Sequence, residues 1–120
     1  MMVMITESMT TEMQTCMNAC MECHKICLET MTYCMSKGGK HVNMGIIGIL
    51  HDCSEMCMMC MNMIMGGSEF TLRTCMLCEQ MCNRCAVACE AISDDRKMTK
   101  CAAACRRCAE TSSSIQKVTA

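Results

Sequence analysis

From Cys75 to Cys89, in the stretch CMLCEQMCNRCAVAC, cysteines recur at steps of three, four, three and four residues. An α-helix turns once in about 3.6 residues, so this rhythm sets all five on one narrow stripe, the a/d seam of a heptad. The same beat recurs elsewhere. Cys16, Cys20, Cys23 and Cys27 step by four, three and four, with Cys34 one heptad further on. Cys53, Cys57 and Cys60 step by four and three, as do Cys101, Cys105 and Cys108. Polar residues Glu22, Lys25, Glu29 and Thr32 point away from the seam of the first segment. The pattern predicts four amphipathic helices, each with thiols where Leu, Ile or Val would normally stand.

Start and stop residues divide the chain. Thr6 or Ser8 can cap the first helix, with Glu7 and Glu12 favouring the positive end of its dipole, and Gly38-Gly39 stops it, giving roughly 7–37. The second starts around His41 to Asn43 and ends at Gly66-Gly67, roughly 42–65. Its first half is aliphatic (Ile46, Ile47, Ile49, Leu50), and Gly45 and Gly48 blur where it becomes regular. Ser68 reads as the cap of a third helix, 69–92, with Glu69 in its first turn. Ser93, Asp94 and Asp95 offer caps for a fourth, 94–115. Connections this short force neighbouring helices antiparallel. The expectation is one all-α domain over 1–120, an antiparallel up-down-up-down four-helix bundle with a cysteine-lined core. The absence of Pro and Trp and the 2% aromatic content agree.

Net charge is −1, with no basic surplus to attract nucleic acid or an anionic membrane. No uninterrupted apolar run reaches the ~18 residues of a membrane span. Sixteen cysteines in 120 residues would suit a secreted disulfide scaffold. The N-terminus MMVMITESMTTEM, however, lacks a basic n-region and carries Glu7, unlike a secretory signal. Cβ atoms at i, i+4 on a helix sit about 5–6 Å apart, wider than the roughly 3.5–4.5 Å of a disulfide. Reduced thiols and a cytoplasmic location are therefore expected.

A single free cysteine is commonly just a small buried hydrophobe. Sixteen in register sacrifice apolar burial worth about 25 cal/mol per Å², which points to ligation. Thiolates select Cu(I), Zn(II) or iron–sulfur clusters. Zinc prefers closed tetrahedral sites, often knuckles on turns, and cluster motifs end in C-P, absent from a chain without proline. Cu(I) needs only two or three thiolates, and each ion that replaces one thiol proton leaves the interior neutral. The metal ligands are then Cys16, Cys20, Cys23, Cys27, Cys34, Cys53, Cys57, Cys60, Cys75, Cys78, Cys82, Cys85, Cys89, Cys101, Cys105 and Cys108, with of order one Cu(I) per cysteine. Two other readings stand beside this one. A soft-metal (zinc) buffer would take about four thiols per ion. A thiol oxidoreductase would need an exposed, low-pKa cysteine at a helix N-terminus, and these cysteines sit mid-helix. No enzyme activity is expected.

The ladders on four helices, strongest from LHDCSEMCMMC through CMLCEQMCNRCAVACE to KCAAACRRC, resemble the bacterial copper storage proteins, in particular their cytosolic branch. That resemblance implies a tetramer of bundles, Cu(I) held along each core, and storage rather than catalysis. Of the 19 methionines, Met56, Met63 and Met81 sit beside the seam as packing. Met9 and Met13 at one end and Met98 at the other are possible thioether ligands where copper is admitted, as is His41 at the first connection. His24 flanks the seam and His51 projects outward.

Overall fold

Four helices form because each ladder supplies a continuous apolar stripe with no proline to interrupt it. The structure, a computed structural model, describes residues 10–119. Helix α1 spans Thr11–Lys37, α2 Met44–Gly66, α3 Thr71–Glu90 and α4 Arg96–Thr119, with a 3-10 turn at Gly39–Val42 between the first two. Each helix packs against two neighbours in the ring α1–α2–α3–α4–α1, within an envelope of 49 × 18 × 18 Å. Cross-helix pairs fix the directions. Cys16 near the start of α1 meets Ser112 near the end of α4, and Cys34 near its end meets Met98 at the start of α4. Cys53 meets Cys82, and Cys60 meets Cys75, across α2 and α3. This is an antiparallel up-down-up-down bundle.

The helix bounds differ from the sequence expectation at several ends, the last two helices closing at Glu90 and Thr119 rather than 92 and 115, and capping explains the starts. The proposed starts at Thr6 and Ser8 lie outside the described residues. Within them α1 begins at Thr11, where the Thr10 hydroxyl accepts the Met13 N–H at 3.0 Å. His41 belongs to the 3-10 turn rather than to α2, whose cap is Asn43, bonded through Oδ1 to the Gly45 N–H at 2.7 Å. Helix α2 ends in a Schellman motif. Gly67 sits at φ 63° and bonds Ile64 O, while the Ser68 N–H bonds Met63 O. Ser68 is not the cap of α3, whose cap position falls at Phe70. Its hydroxyl instead accepts the Phe70 N–H, and α3 starts two residues later than expected, at Thr71. Asp95 is the cap of α4, its Oδ1 taking the N–H groups of Lys97 and Met98.

The core is made mainly of sulfur. All 16 cysteines are buried with no exposed surface, joined by few large side chains: Leu50, Ile64, Met98 and Ile115 are the bulkiest fully buried ones. The antiparallel order sets Met13, Ile64 and Ile115 toward one end of the sulfur column and Ile46, Leu50 and Ile92 toward the other. Outside, Glu22 pairs with Arg107 and Glu90 with Arg106; exposed pairs of this kind contribute about 0–1 kcal/mol. Among the described helices α2 alone has the length and mean hydropathy (1.2) of a membrane span. Its excess apolarity divides between the Cys53, Cys57 and Cys60 seam and outward methionines such as Met44, Met59 and Met65.

Candidate metal centre

Helix periodicity aims each ladder inward, and the antiparallel ring brings ladders into register. The result is a set of sulfur polyhedra along the bundle axis. Cys23, Cys27, Cys53 and Cys105, from α1, α2 and α4, have their Sγ atoms within 4.8 Å of one another. So do Cys57, Cys78, Cys82 and Cys108, from α2, α3 and α4. A third four-sulfur set, Cys23, Cys53, Cys57 and Cys82, takes two residues from each of these. Toward the α1 N-terminal end stand two three-sulfur sets, Cys16–Cys60–Cys75 and Cys20–Cys60–Cys78. Contacts continue between sets: Cys20 and Cys108 are 3.7 Å apart, and Cys53 and Cys82 3.6 Å. No disulfide joins any cysteine.

Cys34, Cys85, Cys89 and Cys101 lie outside these compact sets. Cys34 faces a thioether, donating to Met98 Sδ at 3.6 Å. Met98 is fully buried, and Met13 at the opposite end nearly so; Met9 lies outside the described residues. Above Cys34 a polar cluster closes the bundle end. His41 is buried, and its Nε2 donates to Asp95 Oδ2 at 2.9 Å. The Tyr33 hydroxyl donates to the same oxygen at 2.6 Å, and the Tyr33 and His41 rings meet edge to face. His41 therefore stands at the rim, held by a carboxylate in the way metal-ligating histidines commonly are. His24 is turned to α2, donating from Nδ1 to the Ser54 carbonyl at 2.9 Å, and His51 is exposed beside Asp52.

Tyr33 and Asp95 did not emerge from the sequence as parts of this end. Their only signal was position: Tyr33 one residue before a seam cysteine, and Asp95 at a helix start. Asp95 is pulled down to about 2, first by the Tyr33 hydroxyl and then by His41 and the backbone of Lys97 and Met98, against the opposing effect of burial.

The thiols titrate as a network. Burial pushes Cys34 up, with Cys101 and Asp95 adding to it. Further in, hydrogen bonding with Cys105, Cys108 and Cys27 pulls Cys23 down, while bonding with Cys101 and Cys23 pushes Cys105 up. Cys53 is pulled down chiefly by Cys105 and Cys57 pushed up chiefly by Cys108. Such an array accepts soft cations in exchange for protons without opening to water.

The chain has relatives of the same build. The family model described as Csp, copper storage protein, matches residues 9–117. The uncharacterized cysteine-rich protein YhjQ of Bacillus subtilis (strain 168) is 29% identical over 97 residues, covering 81% of this chain and 89% of that protein. The crystal structure of the Nmul_A1745 protein from Nitrosospira multiformis superposes with a TM-score of 0.82 at 32% identity, covering 89% of this chain and 96% of that one. The Cu(I)-bound copper storage protein BsCsp3 superposes with a TM-score of 0.83 at 28% identity, covering 88% and 99%. With a family model spanning nearly its whole length, this chain belongs to the copper storage protein family.

Proposed function

We propose that the chain stores Cu(I) in the cytoplasm, binding many ions on the thiolates that line its bundle and catalysing no reaction. The observation that carries this is the burial of all 16 cysteines, none in a disulfide, with 12 of them converging in sets that share or touch one another. The Cu(I)-bound state of BsCsp3, a protein of the same fold, supports the choice of ion. Charge supports it too. One Cu(I) per displaced thiol proton leaves the column neutral, so filling it does not accumulate buried charge. Met13 and Met98, as buried thioethers at the two ends, and His41 at the rim are the residues we assign to admitting copper. Met9 would join them from outside the described residues. A homotetramer fits the many half-exposed apolar side chains outside, among them Met21, Met35, Met65, Phe70, Met76 and Val87.

The test is an anaerobic titration of reduced apoprotein with Cu(I) against a competing chelator. Saturation near one Cu(I) per cysteine is expected. Saturation at one or two equivalents would overturn the storage reading.

A further inference from the structure

A tetrahedral ion bonded to sulfur at about 2.3 Å, the zinc–thiolate distance, requires its four sulfurs about 3.8 Å apart. In the set Cys23, Cys27, Cys53 and Cys105, four of the six Sγ separations are 3.9 Å (Cys23–Cys27), 3.9 Å (Cys23–Cys53), 3.8 Å (Cys23–Cys105) and 3.9 Å (Cys27–Cys105). The remaining two stay within 4.8 Å. Three helices supply the four sulfurs, and all four are fully buried. We infer that this set is a binding site for one divalent thiophilic cation of the Zn(II) class, distinct in coordination from the two- and three-thiolate sites proposed for Cu(I).

Protons and charge limit how far such binding can go. One divalent ion replaces four thiol protons and leaves a net charge of −2 in the core. The set Cys57, Cys78, Cys82 and Cys108 shares no residue with the first and offers a second tetrahedron, with Cys57–Cys82 and Cys57–Cys108 at 3.8 Å and Cys78–Cys82 at 3.9 Å. Its edge touches the first, because Cys53 and Cys82 are 3.6 Å apart. Two dianionic centres this close repel. The second divalent ion therefore binds more weakly than the first, by about tenfold or more, and the column cannot fill with divalent ions as it can with monovalent ones. The inference goes beyond copper storage and adds a second, limited cargo.

The test titrates the reduced full-length protein with Cd(II), which reports an all-sulfur four-coordinate shell through its thiolate charge-transfer absorption and its cadmium-113 NMR shift. Zn(II) competing for the same site provides the second arm. The expected result is one tight equivalent with four sulfurs, releasing up to four protons, displaced by Zn(II), and a weaker second. Cys105→Ser and Cys27→Ser are each expected to lose one of the two equivalents, leaving a single all-sulfur equivalent on the sets that keep Cys57 and Cys82. Circular dichroism establishes that both variants fold. A first equivalent with nitrogen or oxygen ligands, or two folded variants that still take two equivalents as the parent does, overturns the inference. Cu(I) titrated in parallel separates the two readings. A protein that takes many Cu(I) but no tight divalent ion loses this inference alone. One that takes a divalent ion but saturates at one or two Cu(I) loses the storage reading instead.

Discussion

At the scale of single residues, the chemistry depends on a cysteine serving two purposes. As a thiol it packs like a small hydrophobe, and as a thiolate it is a soft ligand. That dual nature made the candidate ligands legible in the sequence, since their spacing alone shows which way they face. What surrounds them was less legible. His41 looked like a mouth residue at a connection, and the structure adds that its Nε2 is held by Asp95, 54 residues away in sequence. Nothing local to His41 encodes that partner. The same carboxylate yields a prediction. An unfolded Asp titrates near 3.9, and Asp95 is held down to about 2. Its stabilising effect is therefore fully present above about pH 4 and lost as pH falls through about 2. Asp95→Asn is expected to melt several degrees below the parent at pH 7, with the gap closing toward pH 2. Thermal melts by circular dichroism across that range check it.

At the scale of the helix, periodicity and punctuation had unequal success. Sixteen seam positions over four segments define the helices so redundantly that their number and order follow from the sequence. Their ends depend on which of several adjacent polar groups wins a backbone bond, and that contest is settled by the turn as a whole. Ser68 shows it. Its N–H completes the closure of α2 while its hydroxyl takes the Phe70 N–H, and the Thr71 hydroxyl bonds back to the Ser68 and Met63 carbonyls. The turn rests on Gly67 in the left-handed region, where a Cβ costs about 1 kcal/mol. Gly67→Ala is expected to destabilise the apoprotein by about that amount, measured by urea denaturation, with Cu(I) capacity unchanged because no ligand moves.

At the scale of the molecule, the interior exchanges apolar bulk for ligand density. A column this poor in Leu and Ile buries less hydrocarbon than an ordinary bundle of the same length, and metal supplies part of what is missing. Anything bound preferentially by the folded state stabilises it. The Cu(I)-loaded protein is therefore expected to melt well above the apoprotein, and a strong Cu(I) chelator should return it to the apo value. A loaded protein that melts at the same temperature as the apoprotein would argue that copper sits on the surface. Proton release measured in weak buffer at pH 7 adds a stoichiometric check, with close to one proton per Cu(I) expected.

Cys23, Cys53, Cys57 and Cys82 each belong to more than one sulfur polyhedron. An ion coordinated by any of them already touches the neighbouring coordination shell, so it can pass along the axis by swapping one ligand at a time and never be released into water. The bundle is thus a corridor rather than a row of separate compartments. Ions held on the linked sets from Cys16 to Cys27 can redistribute among them, and no separate door is needed for each of those sites.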